Sequence, residues 1–227
     1  MSKVNRRRFL KVLIGIGALV GSAASIGYYF MGTVGKKVVG EMAQMLPPGQ
    51  YAIDRLRVLH EGPIPEFDEK TWTLEVYGLV KNSFALNYEE LKNLPEVTSI
   101  SAFHCVTGWS KLENKWKGIQ FRTIMEMANV SENAQFATIE SEYDYTTSLT
   151  LKDLSRDDVL LAYGLDDEEL PPQHGGPLRL VVPQKYGYKS AKWVRKIKFT
   201  EKQELGYWES RGYSNTASAL LDDRYAK

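Results

Sequence analysis

Apolar and polar positions change period several times along the chain, and each change marks an element. Residues 71–80 alternate apolar and polar side chains, the period of a strand with one buried face. Residues 86–94 switch to helical spacing. Asn87 is placed to cap that helix, and Glu89 and Glu90 fall in its first turn, where negative charge meets the positive end of the helix dipole. Residues 97–104 read as a strand running into Cys105. Helical spacing returns through Phe121, Ile124, Met125 and Ala128. Residues 136–140 and 145–151 are strand-like, 178–183 form a buried strand, and 194–200 alternate again. Pro-bounded irregular sequence fills 57–65. The sum is an α+β fold, with mixed sheets, short helices and many loops.

The first part of the chain departs from this pattern. Residues 5–11 read Asn-Arg-Arg-Arg-Phe-Leu-Lys, and an apolar, Gly- and Ala-rich run extends from Val12 to about Val34. A charged region followed by an apolar one is the layout of a targeting segment. Arg6-Arg7, one further residue and Phe9-Leu10-Lys11 resemble the twin-arginine export motif, with Asn5 where Ser or Thr is commoner. The run continues through Tyr28-Tyr29-Phe30 and is long enough to span a bilayer, so residues 12–34 are expected to act as a retained membrane anchor or a cleaved signal. The reading divides the chain into a leader (1–34), a linker (35–50) ending at Pro47-Pro48-Gly49, one domain (51–213) and a tail (214–227). It places the domain in the periplasm or on the outer face of the cytoplasmic membrane.

Composition narrows the function. The 227 residues suit one domain with a leader, and Lys+Arg of 29 against Asp+Glu of 28 leaves no basic field for nucleic acid. One cysteine excludes an intrachain disulfide. One cysteine with three histidines also argues against a closed zinc site, which takes four such ligands. Thirteen Tyr and five Trp give bulk for a core and for the walls of a deep pocket.

Two segments carry chemistry. Cys105 follows a strand and precedes Val106-Thr107-Gly108-Trp109-Ser110, a strand end opening into a Gly-containing loop. That fragment alone leaves Cys105 open between a buried structural thiol and a functional one. The second segment runs from His174-Gly175-Gly176-Pro177 to Lys192-Trp193. Its paired glycines allow close backbone approach, and Arg179, Lys185, Lys189, Lys192 and Ser190 offer donors to a phosphate. The alternative for this run is a solvated basic hairpin.

Cys105-Val-Thr-Gly-Trp-Ser110 with Trp116-Lys-Gly-Ile119 resembles the cysteine segment of the molybdopterin domain of sulfite oxidases and related bacterial enzymes. Residues 174–193 resemble that domain's pterin-phosphate segment. His60-Glu61-Gly62-Pro63-Ile64-Pro65 is similar to its early histidine loop, and Asp144-Tyr145 with Ser148-Leu149 to the segment of its active-site tyrosine. Gly206-Tyr207-Trp208-Glu209-Ser210-Arg211-Gly212-Tyr213 is similar to the C-terminal signature of the small members. The resemblance covers about residues 50–213.

The resemblance implies a molybdenum–molybdopterin cofactor with Cys105 as the protein ligand to the metal. It places His60, His104 and His174 along the pterin. Arg179, Ser190 and Lys192 hold the phosphate, with Lys189 nearby, and Ser141 contacts the cofactor. Tyr145 faces the open side of the metal. The implied chemistry is oxygen-atom transfer at the sulfur of a small or side-chain substrate, or at another S- or N-oxide. No haem module fits in this length. The chain therefore looks like the compact catalytic type that resembles protein-methionine-sulfoxide reductases, with a b-type haem membrane protein as electron partner. One departure concerns substrate: Val58-Leu59 stand where sulfite oxidases carry Arg-Asn, which puts an arginine-rich sulfite site in doubt. Two other readings compete. One is a membrane-tethered module that binds a phosphorylated ligand without redox chemistry. The other is a thiol enzyme using Cys105 with His104 or His174 as base.

Overall fold

The computed structural model describes residues 36–40 and 45–226; the leader at 1–34 lies outside the described residues. Among the described residues, twelve strands run in chain order: β1 (Lys36–Val39), β2 (Tyr51–Ala52), β3 (Thr73–Gly78), β4 (Phe84–Asn87), β5 (Glu96–His104), β6 (Trp109–Gln120), β7 (Phe136–Ser141), β8 (Thr146–Thr150), β9 (Leu160–Leu165), β10 (Glu168–Glu169), β11 (Arg179–Val181) and β12 (Val194–Thr200). The α-helices among the described residues are short: α1 (Tyr88–Lys92), α2 (Phe121–Ala128) and α3 (Leu151–Leu154).

The strands form two sheets. One is ordered β1-β5-β6-β9-β10, with β2 beside β6 and β11 beside β9; the other is ordered β4-β3-β12-β7-β8. The alternation in β3 and β12 turns Leu74, Val76, Ile197 and Phe199 inward. They meet Ile119 of β6, Leu161 of β9, Leu180 of β11 and Phe121 and Ile124 of α2 in one buried cluster. Each such side chain contributes about 1.5–3 kcal/mol relative to exposure. A smaller cluster of Val97, Trp116, Leu160, Ala162 and Val181 also draws on the first sheet, with Phe103 and Leu56 packed against it. The α+β expectation holds.

Local signals explain α1. The Asn87 side chain accepts from the Glu90 N–H at 2.9 Å, and the Glu90 carboxylate accepts from the Asn87 N–H at 2.9 Å. This reciprocal box fixes the helix start that the sequence predicts.

Four stretches depart from expectation. Residues 36–39, read as part of a linker, form β1 and pair in parallel with β5. Residues 109–120, of which only 109–110 are assigned from sequence, to a loop, form the longest strand among the described residues, and Leu160–Leu165, assigned to no element, form β9, buried at every position. A strand with no exposed face has no alternation to betray it. Residues 214–226, read as a tail, fold onto the domain, with Ala217 and Ala219 fully buried. No helix among the described residues is long and apolar enough to cross a membrane.

Candidate active site

The hairpin between β5 and β6 presents Cys105. Its amide donates to the Trp109 carbonyl at 2.8 Å and its carbonyl accepts from the Gly108 N–H at 3.1 Å, closing a tight turn. Gly108 takes φ 104°, a conformation that favours glycine there. The Thr107 hydroxyl lies 3.2 Å from the Cys105 sulfur. Both residues line a cavity of about 330 Å³.

Segments distant in sequence complete the cavity. His60, Tyr145, His174, Arg179, Ser190 and Lys192 line it together with Cys105. His104, Ser141 and Lys189 do not. His104 is the residue before Cys105 on an extended strand, so its ring turns to the other face, as alternation requires. There Nδ1 meets the Ser110 hydroxyl at 2.7 Å, and burial lowers the imidazole to a pKa of about 4, so it is neutral at ordinary pH. Ser141 ends β7 with a buried hydroxyl that has no protein partner. Lys189, expected near the phosphate, is buried away from the cavity and pairs with the Glu209 carboxylate.

The cationic wall is built from the strand and turns around β11. Arg179 donates to the His174 carbonyl at 2.7 Å and the Ser190 carbonyl at 2.9 Å, so one guanidinium ties both ends of the segment. Its plane is held near Phe103 and Trp116, 5.1 and 5.4 Å from the ring centres. Ser190 Oγ accepts from the Val182 N–H at 3.0 Å. Lys192 donates to the Leu59 carbonyl at 2.8 Å and the Gln173 carbonyl at 2.6 Å. Gly175, at φ 111°, lets the turn pass close to Lys192, where a Cβ would stand 2.9 Å from its Cγ.

No carboxylate answers these charges among the described residues. Burial and then Arg179 push the Lys192 ammonium down to about 7. Burial, Lys192 and Arg179 in turn lower His174. Neighbouring cations without a counter-charge are a site for an anion. Around them, Trp109 Nε1 and Arg179 Nε are buried without protein partners. Buried donors and acceptors are rarely left so unless a ligand or water meets them. The donor set therefore fits a heterocycle bearing a phosphate: cations at one wall, unpaired ring and guanidinium nitrogens beside them, and a thiol.

Tyr145 follows two consecutive non-glycine residues in the left-handed region, Tyr143 (φ 57°) and Asp144 (φ 56°). Strain of this kind is tolerated where surrounding structure over-determines it, often beside functional groups. The Tyr145 hydroxyl donates to the Tyr188 carbonyl at 2.5 Å, and its ring stacks on Tyr207 at 5.6 Å. Burial, reinforced by Glu209, raises the phenol and keeps it protonated. His60 donates through Nδ1 to the Gly62 carbonyl at 2.9 Å, with its ring edge-on to Trp193.

Sequence reasoning missed Arg57 and Glu61, which flank the early histidine and line the cavity. The cation missing from positions 58 and 59 is supplied one step earlier: Arg57 lies 5.7 Å from the Tyr51 ring centre and 5.9 Å from that of Trp109. Glu61 accepts from the Tyr207 hydroxyl at 3.2 Å. Both belonged to an irregular loop where no period indicates which side chains turn inward.

Comparison with known proteins gives the architecture a family. A family described as the oxidoreductase molybdopterin binding domain matches residues 61–208. The uncharacterised oxidoreductase YuiH of Bacillus subtilis is 42% identical over 192 residues, covering 84% of this chain and 97% of that protein. The protein-methionine-sulfoxide reductase catalytic subunit MsrP of Campylobacter jejuni is 32% identical over 161 residues, 63% of this chain and 54% of its own. The chain thus spans nearly all of the first relative and about half of the second. The crystal structure of the sulfane dehydrogenase SoxCD from Paracoccus pantotrophus shares the fold, with a TM-score of 0.59 and 23% identity, over 67% of this chain and 43% of that one. The chain belongs to the oxidoreductase molybdopterin-binding family of sulfite oxidase type, and it is an enzyme of that family.

Proposed function

We propose that the chain is a molybdenum–pterin oxidoreductase that reduces a methionine-sulfoxide-type substrate outside the cytoplasm. The observation that carries this reading is the single cavity that joins Cys105 to the unanswered cations Arg179 and Lys192. When bound, the molybdenum–pterin group supplies a metal that cycles between Mo(IV) and Mo(VI) and moves an oxygen atom to or from sulfur. The printed name of the Campylobacter relative supports the substrate class.

The chain's own residues take defined parts. Cys105 offers the protein sulfur ligand, and the Thr107 hydroxyl, 3.2 Å away, would donate to that sulfur once a metal binds it. Arg179, Ser190 and Lys192, which line the cavity, would hold the phosphate, and His60 and His174 would meet the pterin. Leu56, Leu59 and Val106 give the cavity wall an apolar part that suits a neutral thioether or sulfoxide, beside the Arg57 cation. Reduction of a sulfoxide takes up two electrons and two protons and releases water. Tyr145, which stays protonated, is a hydroxyl donor on the cavity wall that faces the substrate oxygen in this reading. The electrons come from a b-type haem membrane protein. Arg6-Arg7 and the apolar run 12–34 direct export by the twin-arginine route and hold the domain at the outer face of the membrane.

The test is metal analysis with an activity screen. Protein from a molybdenum-replete, export-competent host should hold stoichiometric molybdenum and reduce methionine sulfoxide faster than it oxidises sulfite. Cys105→Ala should drop that activity to background while the pterin stays bound. A metal-free parent that still binds inorganic phosphate would replace this reading with a phosphate-binding module.

A further inference from the structure

Cys105 stands on a turn whose internal hydrogen bonds fix only its two ends. The carbonyl of Val106, in the middle of the turn, needs a partner from elsewhere. It comes from a segment 118 residues away: Arg224 Nη1 donates to the Val106 carbonyl at 2.7 Å. The same guanidinium reaches the Gly49 carbonyl through Nη2 at 3.4 Å and Asp222 Oδ1 through Nε at 2.7 Å. That aspartate oxygen also accepts from the Tyr186 hydroxyl at 2.7 Å. Tyr186 is fully buried, and its backbone bridges to His104, the residue before the cysteine. The Arg224 guanidinium lies 5.6 Å from its ring centre.

A second tie runs alongside. Gln50 Nε2 donates to the Cys105 carbonyl at 3.2 Å, and Ser110 Oγ donates to Gln50 Oε1 at 3.2 Å. The segment that carries Arg224 is itself anchored. Tyr186 N–H donates to the Ala217 carbonyl at 2.9 Å, Ala219 N–H to the Gln184 carbonyl at 3.1 Å, and Ser214 N–H to the Arg224 carbonyl at 3.0 Å. Gly49, Gln50, Asp222 and Arg224 all lie outside residues 61–208, the part of the chain that the family description matches.

We propose that Arg224 is a positioning residue of this site: from a C-terminal strap, it holds the Val106 carbonyl and so sets where the Cys105 sulfur stands in the cavity. An arginine suits the position because one planar fork serves acceptors on three separate segments, whereas an ammonium is a point donor on a flexible stem. The assignment of a catalytic purpose to this clamp rests on the proposed role of Cys105 as metal ligand; the clamp itself does not.

The chain holds one cysteine, so a thiol reagent reads this turn alone. In the cofactor-free full chain, Arg224→Ala should speed the reaction of Cys105 with dithiobis(nitrobenzoic acid) about tenfold, the scale of one lost charge-assisted hydrogen bond. Arg224→Lys, which keeps a donor, should fall between that variant and the parent. Leu86→Ala, packed against the core from β4 of the other sheet, is the control for general loosening. No acceleration in Arg224→Ala, or one no larger than the control's, overturns the proposal. If Arg224→Ala does not fold, Arg224→Lys and Asp222→Asn carry the same comparison. In molybdenum-loaded protein, the thiolate-to-metal absorption band should shift in Arg224→Ala at unchanged metal content. A parent without such a band, but with the thiol rates in the expected order, would sink the functional reading and leave the clamp standing.

Discussion

Lys189 and Lys192 lie on one short stretch between β11 and β12, and their surroundings are opposite. Lys189 is 1% exposed; it donates to the Ser148 carbonyl at 2.9 Å and pairs with Glu209, also 1% exposed, which accepts from the Thr147 hydroxyl at 2.7 Å. Lys192 faces the cavity, bonds only to carbonyls, and has Arg179 rather than a carboxylate as its charged neighbour. The sequence reading gave both lysines to the phosphate. The contrast shows how to separate them: a buried cation with its own carboxylate is already spoken for, whereas a cation depressed by another cation awaits an anion.

The strongest test of the contrast removes Lys189. Lys189→Ala strands a buried carboxylate and should cost about 3–5 kcal/mol of folding stability in urea titration. A change near zero would mean that Glu209 protonates or finds water, and the pair would lose its structural standing. Next in size is Lys192→Ala. It relieves repulsion from Arg179, so stability should hold or rise, while sulfate or phosphate binding weakens about tenfold by calorimetry, the scale of one charge-assisted contact. Unchanged anion binding would erase the distinction between the two lysines.

pH sharpens the same point. Lys192 sits at about 7 in the folded protein against its ordinary 10.5. Between these values the unfolded chain binds more protons, so the cofactor-free protein gains stability as pH rises through that interval. A bound anion favours the ammonium and removes the penalty at low pH. Sulfate should therefore raise the melting temperature more near pH 6 than near pH 9, and the difference should shrink in Lys192→Ala. The smallest effect is a control at the start of α1, which does not line the cavity. Asn87→Ala breaks the capping box and should cost about 1 kcal/mol while leaving sulfate binding intact. Stability and binding would then move independently.

Legibility from sequence follows the range of the interactions. The α1 cap and the alternation of β3 and β12 are short-range patterns, and the sequence states them directly. The cavity was legible as fragments because Cys105, Tyr145, His174 and Arg179 each sit in a distinctive local setting. What stayed hidden depends on contacts far apart in the chain. Lys189 finds Glu209 only through the fold, β9 is buried on both faces, and Arg57 and Glu61 turn inward from a loop without a period. The basic run from Arg179 to Lys192 suggested one shared task; burial divided it into two.

The bond from Arg224 to Val106, 118 residues upstream, has a consequence in time. During synthesis the Cys105 hairpin leaves the ribosome long before the segment that steadies it, at a pace of about 5–20 residues per second. For that interval the thiol rides on a half-made turn. The Cys105 turn therefore gains its Arg224 bond only after residue 224 has been made, and a ligand that meets the growing chain earlier meets the turn without it.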